Sequence, residues 1–451
     1  MKDKTSDKNN TMVMTEGNTL KLLVFFAIPM LIGNLFQQLY NIVDSIVVGK
    51  LVGADALAAI GVTGSISFLF FALCNGIGSG GGIIASQYFG MNDSRMVKSC
   101  ITNTAYIMII FPTIVGAIAF VLAKPLLLVL ATPENIMVDA LGYLRILCVG
   151  LVFVSVYNYV SSMLRALGDS KTPLYFLIFS CILNTVLDII FVKYLNMAVY
   201  GAGVATLISQ LVSGVLCILY AVKTNPYFRP DKEDFRINKS IILSTVKLGI
   251  PLSLQFSLIA ISSMAMQRVV NTFGAVAVAA FTAGSRIEQI IHQPYQTLSA
   301  ALATYTGQNY GAHNTERMKE GYRKSMMLML LFTIVMVASM QVFGRSITSL
   351  FVDDLAVIDM GAKALKITSL FYLALGLIYI VRGILNGVGD SFFALYNGIV
   401  EVIGRFTVPV LLTSISFIGV WGIWWSAGIV WLISGVTAWL RYYTTRKRIY
   451  G

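Results

Sequence analysis

Residues Lys21–Gly49 read KLLVFFAIPMLIGNLFQQLYNIVDSIVVG, an apolar run long enough to cross a bilayer that still carries Asn34, Gln37, Gln38, Asn41 and Asp44. At about 100° per residue these five side chains, with Ser45, fall within about a third of the helix circumference. The segment is therefore greasy on most sides and polar on one, and that face is expected to turn away from lipid. A carboxylate at bilayer depth costs about 3 kcal/mol even on the milder scales. An Asp that only glues helices together through hydrogen bonds is the plainer reading, but intramembrane acids most often mark ion or substrate paths. Pro29, with Gly33 one turn later, removes a backbone hydrogen bond and offers a place for a bend.

The rest of the composition agrees with a membrane setting. Of 451 residues, 57% are hydrophobic and only 12% charged, with a mean hydropathy of +0.78; soluble domains carry about 25% charged residues. Apolar segments of membrane length give about twelve spans, near 20–46, 55–84, 98–122, 139–163, 173–195, 201–222, 241–270, 275–305, 320–343, 361–386, 393–415 and 419–441. The polar stretch Met1–Thr19 precedes a full-length span with no small-residue cleavage site, so the first helix is expected to be retained. The formal charge of +12 would suit a nucleic-acid partner, but its distribution excludes one. Twenty Lys and Arg fall in the loops on the side of the termini and four (Lys50, Lys124, Lys193, Arg345) in the opposite loops. By the positive-inside rule both termini are cytoplasmic, in the plasma membrane, and the number of spans is even. Five cysteines lie in or beside apolar segments without a CxxC spacing, and read as small core residues.

The text of the first half recurs in the second. GADALAA at Gly53–Ala59 returns as GAVAVAA at Gly274–Ala280, SQYFG at Ser86–Gly90 as GQNYG at Gly307–Gly311, and LRALGDS at Leu164–Ser170 as LNGVGDS at Leu385–Ser391. Each pair is offset by the same 221 positions. A constant shift across three motifs marks two homologous halves. The fold expected is an all-α polytopic membrane protein of about twelve transmembrane helices, in two six-helix lobes around a central cavity. An even span count per half makes the halves parallel, so rocking them would expose the cavity to alternate sides. The divisions expected are a cytoplasmic N-terminal tail (1–19), an N-lobe (20–224), a cytoplasmic linker (225–239), a C-lobe (240–443) and a basic C-terminal tail (444–451). The glycine run GIGSGGG in the second span follows no strand and precedes no GK[ST], so it reads as close helix contact, not as a phosphate loop. The Gly-Asp pairs at Gly168–Asp169 and Gly389–Asp390 read as turns.

Further polar residues lie at depth. In the fifth span Asn184 and Asp188 are one turn apart, and two acids with amide and hydroxyl oxygens suit a proton or a hard monovalent cation. Glu288 and His292 share a face of the eighth span, too few ligands for a metal site but suited to a polar lining or a second protonatable site. Arg405 stands mid-span four residues after Glu401, the spacing that joins opposite charges on one helix face, as a structural pair or a gate. Lys21, Lys247, Lys363 and Arg382 read as snorkelling anchors. Tyr40, Tyr157, Tyr305, Met264 and Met266 read as core, on surfaces that also suit apolar cations.

PMLIGNLFQQLYNIVDSIVVG followed by GADALAA, the SQYFG/GQNYG pair, and RALGDSKTP followed by NTVLD together resemble the multidrug and toxic compound extrusion (MATE) family over nearly the whole chain. The resemblance implies a V-shaped antiporter that expels amphipathic organic cations in exchange for H⁺ or Na⁺, with no other cofactor. It implies a cation site at Asp44, Asn184, Asp188 and Thr206, with Na⁺ a candidate occupant at Asp44, Asn184 and Asp188. It puts Tyr40 beside that site and the first-helix bend at Pro29, with Asn34, Gln37 and Asn41 on the polar face. The chain departs from members with a C-lobe cation site: Gln255 follows Pro251 where they hold an acid, and Phe371–Val381 has none. Gln255, Glu288, His292, Glu401 and Arg405 remain as candidates for substrate contact or gating in the C-lobe. A flippase for an amphipathic lipid-linked molecule is the alternative, for which a more cationic cavity is expected. An enzyme would need a nucleophile and base or a metal cluster at depth, and a channel a filter-like repeat; the sequence offers neither. A monomer in the bilayer, with no nucleic-acid partner, completes the expectation.

Overall fold

A computed structural model describes residues 10–130 and 132–450, apart from the side chains of Ser45, Ala54, Ala260, Ser263 and Met264. Lys2, Lys4 and Lys8 of the N-terminal tail, and the Met264 side chain, lie outside the described residues. Thirteen α-helices follow one another among the described residues, with no strand: α1 (Thr19–Leu51), α2 (Ala54–Gly90), α3 (Ser94–Val129), α4 (Glu134–Ala166), α5 (Lys171–Asp188), α6 (Ala198–Thr224), α7 (Lys239–Val270), α8 (Ala275–Gly311), α9 (Thr315–Thr348), α10 (Leu355–Ser369), α11 (Tyr372–Gly387), α12 (Phe392–Thr413) and α13 (Gly422–Tyr450). Ten of them are long and apolar enough to cross a membrane, and α10 with α11 make an eleventh span bent by 53°. The remaining helix, α8, has the 37-residue length of α2 but is not among the helices apolar enough to qualify; it carries Arg286, Glu288, His292 and Gln296 where α2 has Ser65, Ser67, Phe71 and Asn75. Helix α13 runs to Tyr450, through the residues expected to form a basic tail.

The 221-residue repeat governs backbone geometry as well as text. Helices α2, α3, α4 and α5 begin at 54, 94, 134 and 171; α8, α9, α10 and α12 begin at 275, 315, 355 and 392, each 221 positions later. The caps repeat too. Asp93 accepts from the backbone N–H of Met96 and Asn314 from that of Arg317, each satisfying a donor that the first turn leaves open. Left-handed backbone recurs at Asn92 and His313, at Ala198 and Gly419, and at Gly168 and Gly389. The Asp of each Gly-Asp pair is used differently: Asp169 Oδ1 accepts locally from the N–H of Lys171 and Thr172, whereas Asp390 accepts from Arg441 of α13, 51 residues on.

The chain forms two compact units, one of Met1–Met14 and Ile28–Leu254 and the other of Thr15–Ala27 and Gln255–Gly451. The boundaries fall inside α1, beside Pro29, and inside α7, just past Pro251. The stretch 225–239, expected to separate the lobes, lies within unit one. It is strapped to α3: Asn103 Nδ2 donates to the Arg236 carbonyl at 3.2 Å, Tyr106 to that of Phe235 at 3.0 Å, and Lys98 pairs with Asp231 at 2.8 Å. The glycine run of α2 allows close helix contact within unit one, as its composition indicates. A methyl group on Gly80 would lie 2.7 Å from the Gly249 nitrogen on α7.

One break in the repeat has a packing cause. In unit one Leu207 of α6 fills the space over Gly150 of the unbroken α4. At the equivalent positions of unit two the sizes are exchanged: Phe371 packs over Gly428 and edge-on to Trp425, at 5.8 Å between ring centroids. Phe371 sits in the bend between α10 and α11. The span read as continuous over 361–386 is thus divided where a large aromatic takes the place of a glycine.

Candidate functional site

Helix α1 presents two faces. Phe25, Ile28, Ile32, Leu35, Leu39, Ile42 and Ile46 are exposed, at the spacing of a single apolar stripe. Asn34, Gln37, Gln38, Tyr40 and Asp44 are half-buried, whereas Asn41, expected among the shielded polar residues and lying within the same arc of the helix, is exposed. Pro29 is buried and α1 runs through it without interruption. Gly33 approaches Leu177, bringing α1 against α5.

The polar face leads to a compact group in unit one. Asp188 closes α5 and is fully buried, with Asn184 one turn before it also buried. The carboxyl groups of Asp44 and Asp188 lie within hydrogen-bonding reach of each other. Asn184 Nδ2 donates to Thr206 Oγ1 at 3.4 Å, and the Thr206 and Tyr40 hydroxyls are hydrogen-bonded at 3.1 Å. The four residues of the expected cation site and Tyr40 therefore do come together. Asp44 Oδ1 is buried with no hydrogen-bond donor opposite it. Two carboxylates in contact repel each other, and an arrangement of this kind is suited to a proton or a cation between them. Its oxygens, with those of Asn184, Thr206 and Tyr40, make a hard donor set that fits Na⁺.

Sequence reasoning missed two parts of this site. Tyr143 of α4 is buried within electrostatic reach of both acids, with no periodic signal to single it out. Directly after Asp188 the helix widens into a π-helical segment, Ile189–Tyr194. Such a widening shifts the backbone register, and it recurs at functional positions.

Unit two holds a different polar group. Glu401 does not pair with Arg405 as its spacing suggests. Its carboxylate meets Arg382 at 3.5 Å, both side chains being under a tenth exposed. Arg382, read as an anchor, is thus a buried partner, and it also donates to Asn397 Oδ1 at 2.9 Å. The pair forms between α11 and α12, a tertiary contact that outcompetes the local i, i+4 one. Arg405 forms no ion pair among the described residues, and its Nε is buried without an acceptor. Glu288 is within electrostatic reach of Arg405 and lies near Tyr372. His292 stands edge-on to Trp431 and Tyr379, with Nε2 buried and unpartnered. Gln255 is buried, close to Gly398. No cluster of three or more His, Cys, Asp or Glu able to hold a metal occurs among the described residues.

The family model MatE matches residues 29–190 and 251–410, one match in each half of the repeat. The chain belongs to the MatE family. The probable multidrug resistance protein YpnP of Bacillus subtilis is 32% identical over 95% of this chain and 96% of its own length. The multidrug export protein MepA of Staphylococcus haemolyticus is 24% identical over 96% of this chain and 95% of its own. Among solved structures, a multidrug resistance MATE family transporter in an outward-facing conformation has a TM-score of 0.89 at 24% identity, covering 97% of both chains. A MATE in the bent conformation has a TM-score of 0.88 at 25% identity, covering 97% of this chain and 96% of its own. The all-helical, two-lobed architecture is that of the MatE proteins, and both halves of the MatE match contribute to it.

Proposed function

We propose that this MatE protein is a secondary antiporter that exports amphipathic organic cations in exchange for H⁺ or Na⁺. Asp44 and Asp188 are the seat of the coupling ion. The observation that carries the reading is the contact between these two carboxyl groups, on α1 and α5, walled by Asn184, Thr206 and Tyr40. When the seat is filled, the charge is neutralised and the buried pair is at rest. When it empties, two carboxylates repel, and α1, the helix that carries Pro29, is the element the repulsion moves. An incoming organic cation favours the emptied, charged state, which couples the two fluxes in opposite directions. In this reading the chain works as a monomer in the plasma membrane, with both termini cytoplasmic and no nucleic-acid partner.

The test is extrusion of a fluorescent organic cation from sealed vesicles containing the purified protein, with a pH or a Na⁺ gradient imposed separately. One gradient is expected to drive extrusion, and Asp44→Asn and Asp188→Asn to abolish it. Extrusion at the wild-type rate by the double variant would end the reading.

A further inference from the structure

The repeat allows the cation seat of unit one to be compared, position by position, with unit two. Shifted by 221 residues, Asp44 falls on Ala265, Asp188 on Pro409 and Thr206 on Ala427, so the second unit keeps none of the oxygens. Asn184 falls on Arg405. At the place where unit one gathers negative charge, unit two presents a guanidinium.

That guanidinium is in an unusual state. The acid nearest in sequence, Glu401, is committed to Arg382 at 3.5 Å, and Arg405 has a buried Nε with no acceptor. A buried donor of a charged group left without an acceptor is costly, and His292 Nε2 is likewise buried with no hydrogen-bond partner. Glu288, His292, Tyr379 and Arg405 are half-buried, in contrast to the sealed Arg382–Glu401 pair, and both His292 and Tyr379 lie within electrostatic reach of Arg405. Its wall is aromatic: Trp431 lies 5.6 Å and Tyr379 6.3 Å from the His292 ring, and Tyr379 stacks on Tyr295. A planar fork of donors beside aromatic faces is the setting in which a carboxylate on a flat apolar body is held.

We infer that Arg405, with His292 and the aromatic wall around it, is a binding site in unit two for the carboxylate of an aromatic ligand. The Arg405 guanidinium donates to both carboxylate oxygens, and Glu288 is the internal anion that the ligand displaces from electrostatic control of the guanidinium. The inference deepens the exporter reading: substrates of this chain then include amphoteric molecules whose acidic end is held in unit two. Binding is measured without transport, so failure here and failure of the antiport reading are told apart.

The experiment is equilibrium binding of 2-naphthoate to the full chain in nanodiscs, against empty nanodiscs, with methyl 2-naphthoate and acetate as comparison ligands. Saturable binding of one naphthoate per chain is expected, at least tenfold tighter than acetate and tenfold tighter than the ester. Arg405→Gln is expected to weaken naphthoate at least tenfold, Arg405→Lys to restore part of the loss, and Glu288→Gln to tighten it severalfold by removing the internal competitor. A merely structural Arg405–Glu288 contact would not give opposite signs for the two substitutions. Absence of saturable binding to the wild type, equal binding of acid and ester, or a loss with Glu288→Gln overturns the inference. The last three measurements decide the matter even if Arg405→Gln does not fold.

Discussion

The pairing of Glu401 with Arg382, and not with its sequence neighbour Arg405, yields a sharp energetic prediction. At 3.5 Å and an effective dielectric of about 20, the Coulomb attraction between unit charges is about 5 kcal/mol. With both side chains under a tenth exposed, water screens it little. Net of desolvation, removing one partner of such a pair costs about 3–5 kcal/mol, because a buried charge is left behind. Glu401→Gln and Arg382→Met are therefore each expected to destabilise the protein by about 3 kcal/mol. The double variant should cost well under their sum, since two uncharged side chains can pack where one stranded charge cannot. The coupling in that double-mutant cycle is expected at about 2–3 kcal/mol, and in the Glu401→Gln/Arg405→Met cycle at under about 0.5 kcal/mol. Denaturant titration in mixed micelles, followed by far-ultraviolet circular dichroism, measures both. A larger coupling for Glu401 with Arg405 than with Arg382 would refute the pairing, and with it the assignment of Glu401 away from Arg405.

Three further outcomes are expected. Gly80→Val puts branched carbon atoms where even a methyl group lies 2.7 Å from the Gly249 nitrogen; backbone must move, and the yield of monodisperse protein by size-exclusion chromatography should fall severalfold. Phe371→Ala empties the space over Gly428 and beside Trp425; because Phe371 is half-buried, the cost is expected at about 1.5–3 kcal/mol in the same denaturant titration. Tyr40→Phe deletes the 3.1 Å hydrogen bond to Thr206; at about 1 kcal/mol it should weaken coupling-ion affinity about fivefold while leaving the maximal extrusion rate near that of the wild type, read from rates at graded ion concentrations.

How far the sequence could be read depends on the range over which each feature is encoded. The polar face of α1 and the Asn184/Asp188 pair are visible because a carboxylate in an apolar run stands out residue by residue. The repeat is visible because a fixed offset survives divergence of the apolar text, and it carries through to helix starts, caps and left-handed turns. Thr206 was reachable only through resemblance, since a threonine in an apolar helix carries no signal of its own. Tertiary choices were not legible. Glu401 has a cation four residues on, yet its partner comes from α11, and only the packed structure decides between them. The division of the tenth span at Leu370–Phe371 has no proline to announce it; its cause is the exchange of Gly150/Leu207 for Phe371/Gly428, which needs two helices and both halves to be seen. The π-helical turn after Asp188 is likewise invisible in IIFVKY, because those residues would serve an ordinary helix as well.

The central claim, that Asp44 and Asp188 form one exchangeable seat, is tested most directly by counting ions released when substrate binds. Purified protein in lightly buffered detergent, titrated with a fluorescent organic cation, is monitored for H⁺ by an indicator dye and for Na⁺ by a selective electrode. The account predicts release of about one ion of one kind per substrate bound, and none from Asp44→Asn/Asp188→Asn. Substrate binding with no ion released by the wild type, or undiminished release by the double variant, would contradict it.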